Sequence, residues 1–302
     1  MTRPNGHPAF ALDGLTKRYP AFTLGPVTLS LDAGLVLALV GPNGAGKTTL
    51  INCIVGLARR DGGEVAVFGR PNLPNRTDWK RDIGYVGELK GFYPDWSAAR
   101  NLAFVREYYQ TWDEALVARL VARFALPLEK RVNQLSTGNR AKLALVAALG
   151  HRPRLLLLDE PFSGLDPLVR AEALDTLWES LEDGSTAILY STHILSDIAR
   201  LADEVAFLVD GRLVLRQSRD GLAEAWRRIT FGASRSLDDL PGVHRHQTDG
   251  RVQQVVSVDA ERTLAALHAA GAQQIEAARM TLDEIAVEIM KGESWKISSK
   301  AS

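Results

Sequence analysis

Gly41-Pro-Asn-Gly-Ala-Gly46-Lys47-Thr48-Thr49 carries the most specific chemistry in the chain. It fits the pattern G-x-x-x-x-G-K-[ST], in which glycines let the backbone wrap a phosphate and successive N–H groups point inward. Gly41, Asn43, Gly44, Ala45, Gly46 and Thr49 form that cradle, the Lys47 ammonium reaches the β and γ phosphates, and the Thr48 hydroxyl is placed to ligand Mg²⁺. An ordinary glycine turn shares the composition. Context separates the two, because this segment follows a short apolar run, Leu35-Val-Leu-Ala-Leu-Val40, and precedes a helical pattern.

Two carboxylates form the second candidate. Leu155-Leu-Leu-Leu-Asp159-Glu160 ends a buried-strand pattern in an acid pair, at the strand edge where ligands of α/β sheets collect. Asp159 suits a Mg²⁺ ion through its water shell, and Glu160 suits a general base that polarises an attacking water; strand-end acids also serve as helix caps. A third segment, Leu135-Ser136-Thr137-Gly138-Asn139, places Ser136 as the N-cap of a helix over 139–149. Its hydroxyl and the helix N-terminus can both meet a phosphate, although the pentapeptide by itself reads as a plain cap.

The elements that must carry these residues follow from apolar spacing. Short apolar runs at 35–40, 155–158, 186–190 and 205–209 alternate with helical patterns, which predicts a mostly parallel α/β sheet buried on both faces. Strand patterns vanish between about 88 and 150, where 98–109, 112–124 and 139–149 have helical spacing and read as an inserted helical subdomain. Near residue 220 the character changes again. Strand patterns at 229–231, 243–246, 251–258 and 273–277, with helical ones near 260–270 and 282–290, predict a small α+β domain over 221–290. Asp249-Gly250 signals a hairpin, Thr281 with Glu284 signals a capping box, and 291–302 reads as a frayed polar tail.

Composition narrows the functional classes. The 302 residues are 46% hydrophobic and balance 36 Lys and Arg against 36 Asp and Glu, so the chain is expected to fold and carries no global positive field for nucleic acid. A lone cysteine, Cys53, excludes an intramolecular disulfide framework and a thiolate metal cluster. No apolar run approaches the roughly 20 residues that cross a bilayer, and the first ten residues lack the apolar core of a secretory signal. The expected location is the cytoplasm.

In chain order, the phosphate loop, Ile83-Gly-Tyr-Val-Gly-Glu88, the segment from Leu135 to Asn139, the acid pair, Ser163-Gly-Leu-Asp166 and Ser191-Thr-His193 together resemble the ATP-binding cassette (ABC) family over about residues 8–217. The resemblance extends to the ATP-binding subunits of its export-type, single-cassette branch. It implies an α/β P-loop NTPase (RecA-like) core with a mostly parallel sheet, an antiparallel N-terminal β region, an ATPase domain over 1–220, and ATP and Mg²⁺ as ligands. By the same resemblance Tyr19, in Leu15-Thr-Lys-Arg-Tyr19, stacks on adenine, and His193 contacts the γ-phosphate and steadies the catalytic geometry. Two subunits, as a homodimer or a heterodimer, are implied to meet head to tail, with Ser136 and Gly138 acting in trans on the γ-phosphate and Asp166 linking the two sites. The segment departs from the family's usual LSGGQ at Thr137 and Asn139.

The implied partner is an integral membrane permease, which holds the chain on the inner face of the cell membrane through a coupling helix seated near Phe92, Tyr93, Trp96 and Leu102. The rival reading is a soluble cassette ATPase acting on nucleic acid or ribosomes. Against it stand the short spacing of about 90 residues between phosphate loop and signature, with no sustained heptad for a coiled coil, and the presence of a single cassette. No nucleic-acid partner is expected.

Glu88 stands where the family usually has a Mg²⁺-liganding glutamine. A carboxylate can also ligand Mg²⁺, but it adds negative charge beside Glu160 and the phosphates. If Glu88 sits on the metal, Glu88→Gln weakens Mg²⁺ binding and moves the pH–rate profile; superimposable Mg²⁺ titrations and pH–rate curves would show a solvated loop acid instead.

Overall fold

The computed structural model describes residues 6–87, 91–163, 165–180, 184–194, 201–233, 237, 239–249 and 252–291. Glu88, Gly250, Arg251 and the tail 292–302 lie outside the described residues. Two compact units divide the chain, residues 1–216 and 217–302.

The first unit is built on a six-stranded sheet in the order β10 (Arg212–Ser218), β9 (Glu204–Val209), β3 (Val36–Val40), β8 (Ala187–Thr192), β7 (Leu155–Asp159), β6 (Ile83–Val86). The pairs β9–β3, β3–β8, β8–β7 and β7–β6 are all parallel. Every residue of β3, β7 and β8 is buried, which is why these strands read as unbroken apolar runs rather than alternating ones. A second, antiparallel sheet orders β2 (Phe22–Leu31), β1 (Phe10–Tyr19), β4 (Gly62–Val67) and β5 (Arg70–Pro71). Its inward residues Phe10, Leu12, Leu15, Leu24 and Val65 share one core with Leu50, Ile51 and Ile54 of α1 (Lys47–Val55) and Leu37, Leu39 and Leu157 of the central sheet. Cys53 of α1 lies in this core; burial pushes its thiol up to about 11, so it is protonated at neutral pH.

Between β6 and β7 the described residues include α2 (Ala98–Arg106), α3 (Glu114–Arg123) and α4 (Thr137–Leu149). Each starts on a side-chain cap: Ser97, Asp113 and Ser136 accept from the N–H groups of Arg100, Leu116 and Asn139. The loop before α2 is fixed by the buried Asn101 amide, which bonds the N–H and carbonyl of Tyr93 and the carbonyl of Ser97. α5 (Pro167–Ser180) connects β7 to the region before β8.

The second unit orders β12 (Val243–Asp249), β13 (Val252–Ser257), β11 (Arg227–Gly232) and β14 (Gln273–Arg279) in an antiparallel sheet around Ile229, Phe231, Val255 and Leu267. Its helices are α6 (Arg219–Ala225), α7 (Ala260–Ala269) and α8 (Leu282–Lys291). Asp249 pairs with Val252 where β12 meets β13, while Gly250 of the expected hairpin turn lies outside the described residues. The capping box before α8 forms, with Glu284 N–H donating to Thr281 Oγ1 at 3.2 Å and Thr281 N–H to Glu284 Oε2 at 2.8 Å. That backbone donor, with Arg228, holds the Glu284 carboxyl below the usual range. No described helix is long and apolar enough to cross a membrane.

One buried titratable group links the helical insertion to the central sheet. His151, just after α4, bonds the Ile83 carbonyl through Nε2 at 3.1 Å and stacks on Tyr109 with ring centroids 3.8 Å apart. Burial pushes its pKa down from 6.5 to about 4. Between those values the unfolded chain takes up a proton that the folded chain refuses, so stability present at neutral pH is lost as pH falls from about 6.5 toward 4. Lowering pH from about 7 to about 5 should cost ~2 kcal/mol through this residue alone. His151→Gln keeps a donor for Ile83 without titrating, and urea unfolding at both pH values should show that difference removed.

Candidate active site

The sheet register decides what meets at the carboxyl ends of β3, β7 and β8. Asp159 lies opposite Ser191, and Val40 opposite Thr192, so the phosphate loop, the acid pair and Ser191-Thr-His193 leave the sheet side by side. A cleft of about 1370 Å³ opens there, lined by Asn43, Gly44, Gly46, Lys47, Thr48, Thr49, Asp159, Glu160 and His193. Nine sequence-predicted residues are thus brought together from three strand ends.

The loop's shape depends on two glycines. Gly46 has φ +102°, and a Cβ built there would lie 2.8 Å from the Phe22 ring; at Gly41 a Cβ would lie 2.1 Å from the Leu208 carbonyl of β9. Ala45 is buried under the loop. Gly46 offers α1 no side-chain cap, which leaves the first-turn N–H groups free for an anion.

Lys47 is 5% exposed and its Nζ donates to the carbonyls of Gly41 at 2.9 Å and Pro42 at 3.1 Å. Its third partner is Glu160 Oε1 at 3.1 Å, and the other oxygen of that carboxylate meets His193 Nδ1 at 3.0 Å. Glu160 is held there by its own backbone, which has φ +46° and donates its N–H to Ser191 Oγ at 2.9 Å. Ser191 Oγ in turn donates to Asp159 Oδ1 at 2.8 Å. Asp159 Oδ2 is buried without a hydrogen-bond partner. An unpaired buried carboxylate oxygen at a cleft that Thr48 also lines suits a hard cation such as Mg²⁺. Among the described residues no group of three or more His, Cys, Asp or Glu gathers to hold a metal by itself, so any cation here takes most of its oxygens from water or phosphate. Glu88, expected as a further ligand, lies outside the described residues.

The remaining sequence-predicted residues stand off the cleft lining. Tyr19 is 46% exposed with the Lys17 ammonium 5.3 Å above its ring, while Ala21 and Phe22 of the same hairpin line the cleft. Ser136 and Asp166 are helix caps, Asp166 Oδ1 accepting from Leu168 and Val169 N–H at 3.1 and 3.0 Å; Thr137 and Arg140 carry the signature helix to the cleft. A second groove of about 680 Å³ is lined by Tyr85, Phe92, Val105, Tyr109 and His151. Of the aromatic segment expected at a partner groove, Phe92 lines it, Leu102 is buried, and Tyr93 and Trp96 stack on each other and against Phe104. Sequence reasoning missed Phe22, whose only signal is its closeness to the phosphate loop in the fold. It also passed over Ser191, whose signal lay in the quoted Ser191-Thr-His193.

Ser191→Ala removes the donor to Asp159 and the acceptor for Glu160 N–H together. It should lower stability by about 2 kcal/mol and weaken metal-dependent nucleotide binding. An unchanged urea midpoint would show that water replaces the hydroxyl.

Comparison with known proteins bears on this arrangement. A family described as ABC transporter matches residues 24–163. The sulfate/thiosulfate import ATP-binding protein of Xanthomonas campestris pv. campestris is 38% identical over 209 residues, 66% of this chain and 61% of that protein, so the chain spans somewhat under two thirds of that relative. The Nod factor export ATP-binding protein I of Burkholderia orbicola is 33% identical over 216 residues, 69% of this chain and 70% of that one. A solved ATP-binding subunit of an ABC transporter aligns at 30% identity with a TM-score of 0.64, covering 72% of this chain and 92% of its own.

Proposed function

Since the chain belongs to the ATP-binding cassette family of transporter ATPases, we propose that it binds and hydrolyses ATP in a head-to-tail dimer and drives a separately encoded membrane permease, in the direction of export. The observation that carries this reading is the convergence of Lys47, Asp159, Glu160 and His193 on one cleft at the end of the phosphate loop. Named relatives that serve transport systems support it over action on nucleic acid or ribosomes. They include import as well as export subunits; export rests on the resemblance of the sequence to the export-type single-cassette branch, with the compact unit after the cassette consistent with it.

Lys47 and the first turn of α1 bind the phosphates, and the arriving anion competes with Glu160 for the ammonium. Released on that side, the Glu160 carboxylate takes the proton of the attacking water as its oxygen bonds to the γ-phosphorus and the bond to the bridging oxygen of ADP breaks. His193 orients the carboxylate from its other oxygen. Thr48 and Asp159, with Glu88 as a further proposed ligand, would hold Mg²⁺, which would supply neutralisation of the phosphate charge. Phe22 lines the cleft, and Tyr19, on the same hairpin but outside that lining, is the residue proposed to meet the adenine base. Ser136 and Gly138 complete it from the partner subunit, with Asp166 linking the two sites. The permease seats on the groove lined by Phe92 and Tyr109 and holds the chain at the inner face of the membrane.

Glu160→Gln keeps shape and leaves Asp159 in place, so ATP should bind without turning over and the protein should double in mass by sedimentation with Mg²⁺ and ATP. Adding Lys47→Ala to that variant should abolish both binding and dimer. A monomer under saturating, demonstrably bound ATP would refute the shared site.

A further inference from the structure

Two helices that begin at proposed dimer contacts lie against each other inside one subunit. α4 starts at the Ser136 cap and α5 at the Asp166 cap. At Gly138 an added Cβ would stand 3.4 Å from Val169 Cγ1 and 4.0 Å from Leu165 Cδ2, so the first turn of α4 rests on the start of α5. Four residues along the same face of α4, Lys142 Nζ meets Glu172 Oε2 of α5 at 2.7 Å. The same ammonium donates to the Phe124 carbonyl at the end of α3 at 3.3 Å and lies 5.4 Å from the centre of the Phe124 ring. Lys142 is 8% exposed. A surface pair, Arg123 with Glu179, joins α3 to α5 again.

A buried ammonium is costly unless it is paired and hydrogen-bonded, and a well-packed apolar residue would serve stability as well. What an ion pair adds is direction: apolar faces can slide along a helix, whereas a charge with two fixed acceptors accepts one placement. Here that placement ties α4 to both α3 and α5, one helical turn along α4 from Gly138.

We infer that Lys142 and Glu172 are positioning residues that lock the Ser136–Gly138 end of α4 to the Asp166 end of α5, so that both are offered to the second subunit as one rigid face. The inference deepens the proposed function and rests on its shared site. Neither residue lines the cleft, so nucleotide binding by the phosphate loop alone does not depend on them.

The test uses the full chain carrying Glu160→Gln, with three readings: ADP affinity, the protein concentration at half-dimerisation in Mg²⁺ and ATP, and melting temperature. Lys142→Met, similar in volume, should leave ADP affinity within about twofold while raising the half-dimerisation concentration about tenfold or more. Lys142→Arg should restore dimerisation. Lys142→Glu and Glu172→Lys should each impair it, and the two together should recover most of the loss, a recovery that generic destabilisation does not produce. Unchanged dimerisation by Lys142→Met in a dimerising parent would overturn the inference alone, as would parallel loss of ADP affinity and dimer. A parent that binds ATP and stays monomeric would overturn the shared-site reading and this inference with it.

Discussion

The arrangement at the cleft depends on the register of β7 against β8. With Asp159 opposite Ser191, a single hydroxyl fixes a carboxylate oxygen on one strand and the backbone N–H of the next residue, Glu160. A slip of one residue would turn Ser191 to the other face of the sheet and release both contacts. Burial on both faces makes such a slip costly, since every residue of the two strands is enclosed. The apolar runs therefore act on the chemistry: they hold three chain segments, from residues 40 to 193, in a fixed relation at one sheet edge.

Two buried ammonium groups in the first unit show how one physical demand is met for different ends. Lys47 is satisfied by two carbonyls and by Glu160, whose side chain is 22% exposed beside an open cleft, so its anionic partner is exchangeable. Lys142 sits at a junction of helices, where its partners come from α3 and α5 and lie outside the lining of the phosphate-loop cleft. Desolvation requires a counter-charge in both cases. Position at the lining of the phosphate-loop cleft, rather than exposure, decides whether that counter-charge meets a competing ligand.

What was legible in the sequence is what is contiguous along it. The phosphate loop, the acid pair and the caps Ser136 and Thr281 each occupy a short window, and apolar periodicity placed most strands and helices to within a few residues. Contacts made by the fold were not legible. Nothing in the local pattern puts Phe22 against Gly46, or Gly138 against Val169, because those approaches are set by sheet and helix packing across intervals of about 25 to 30 residues. The strands of the antiparallel sheet in the first unit were weakly marked for a related reason: the register shift where β1 pairs with β4 breaks the period-two alternation.

The enclosed position of Cys53 has a practical side. It is the chain's one thiol, packed into the core on α1 and protonated at neutral pH, so it is a poor nucleophile toward maleimides and similar reagents. The native protein is thus chemically silent to thiol labelling. A reporter cysteine introduced on an exposed surface could be modified without first removing the natural one, leaving the packing beneath the phosphate loop intact while distances between two such dyes are followed.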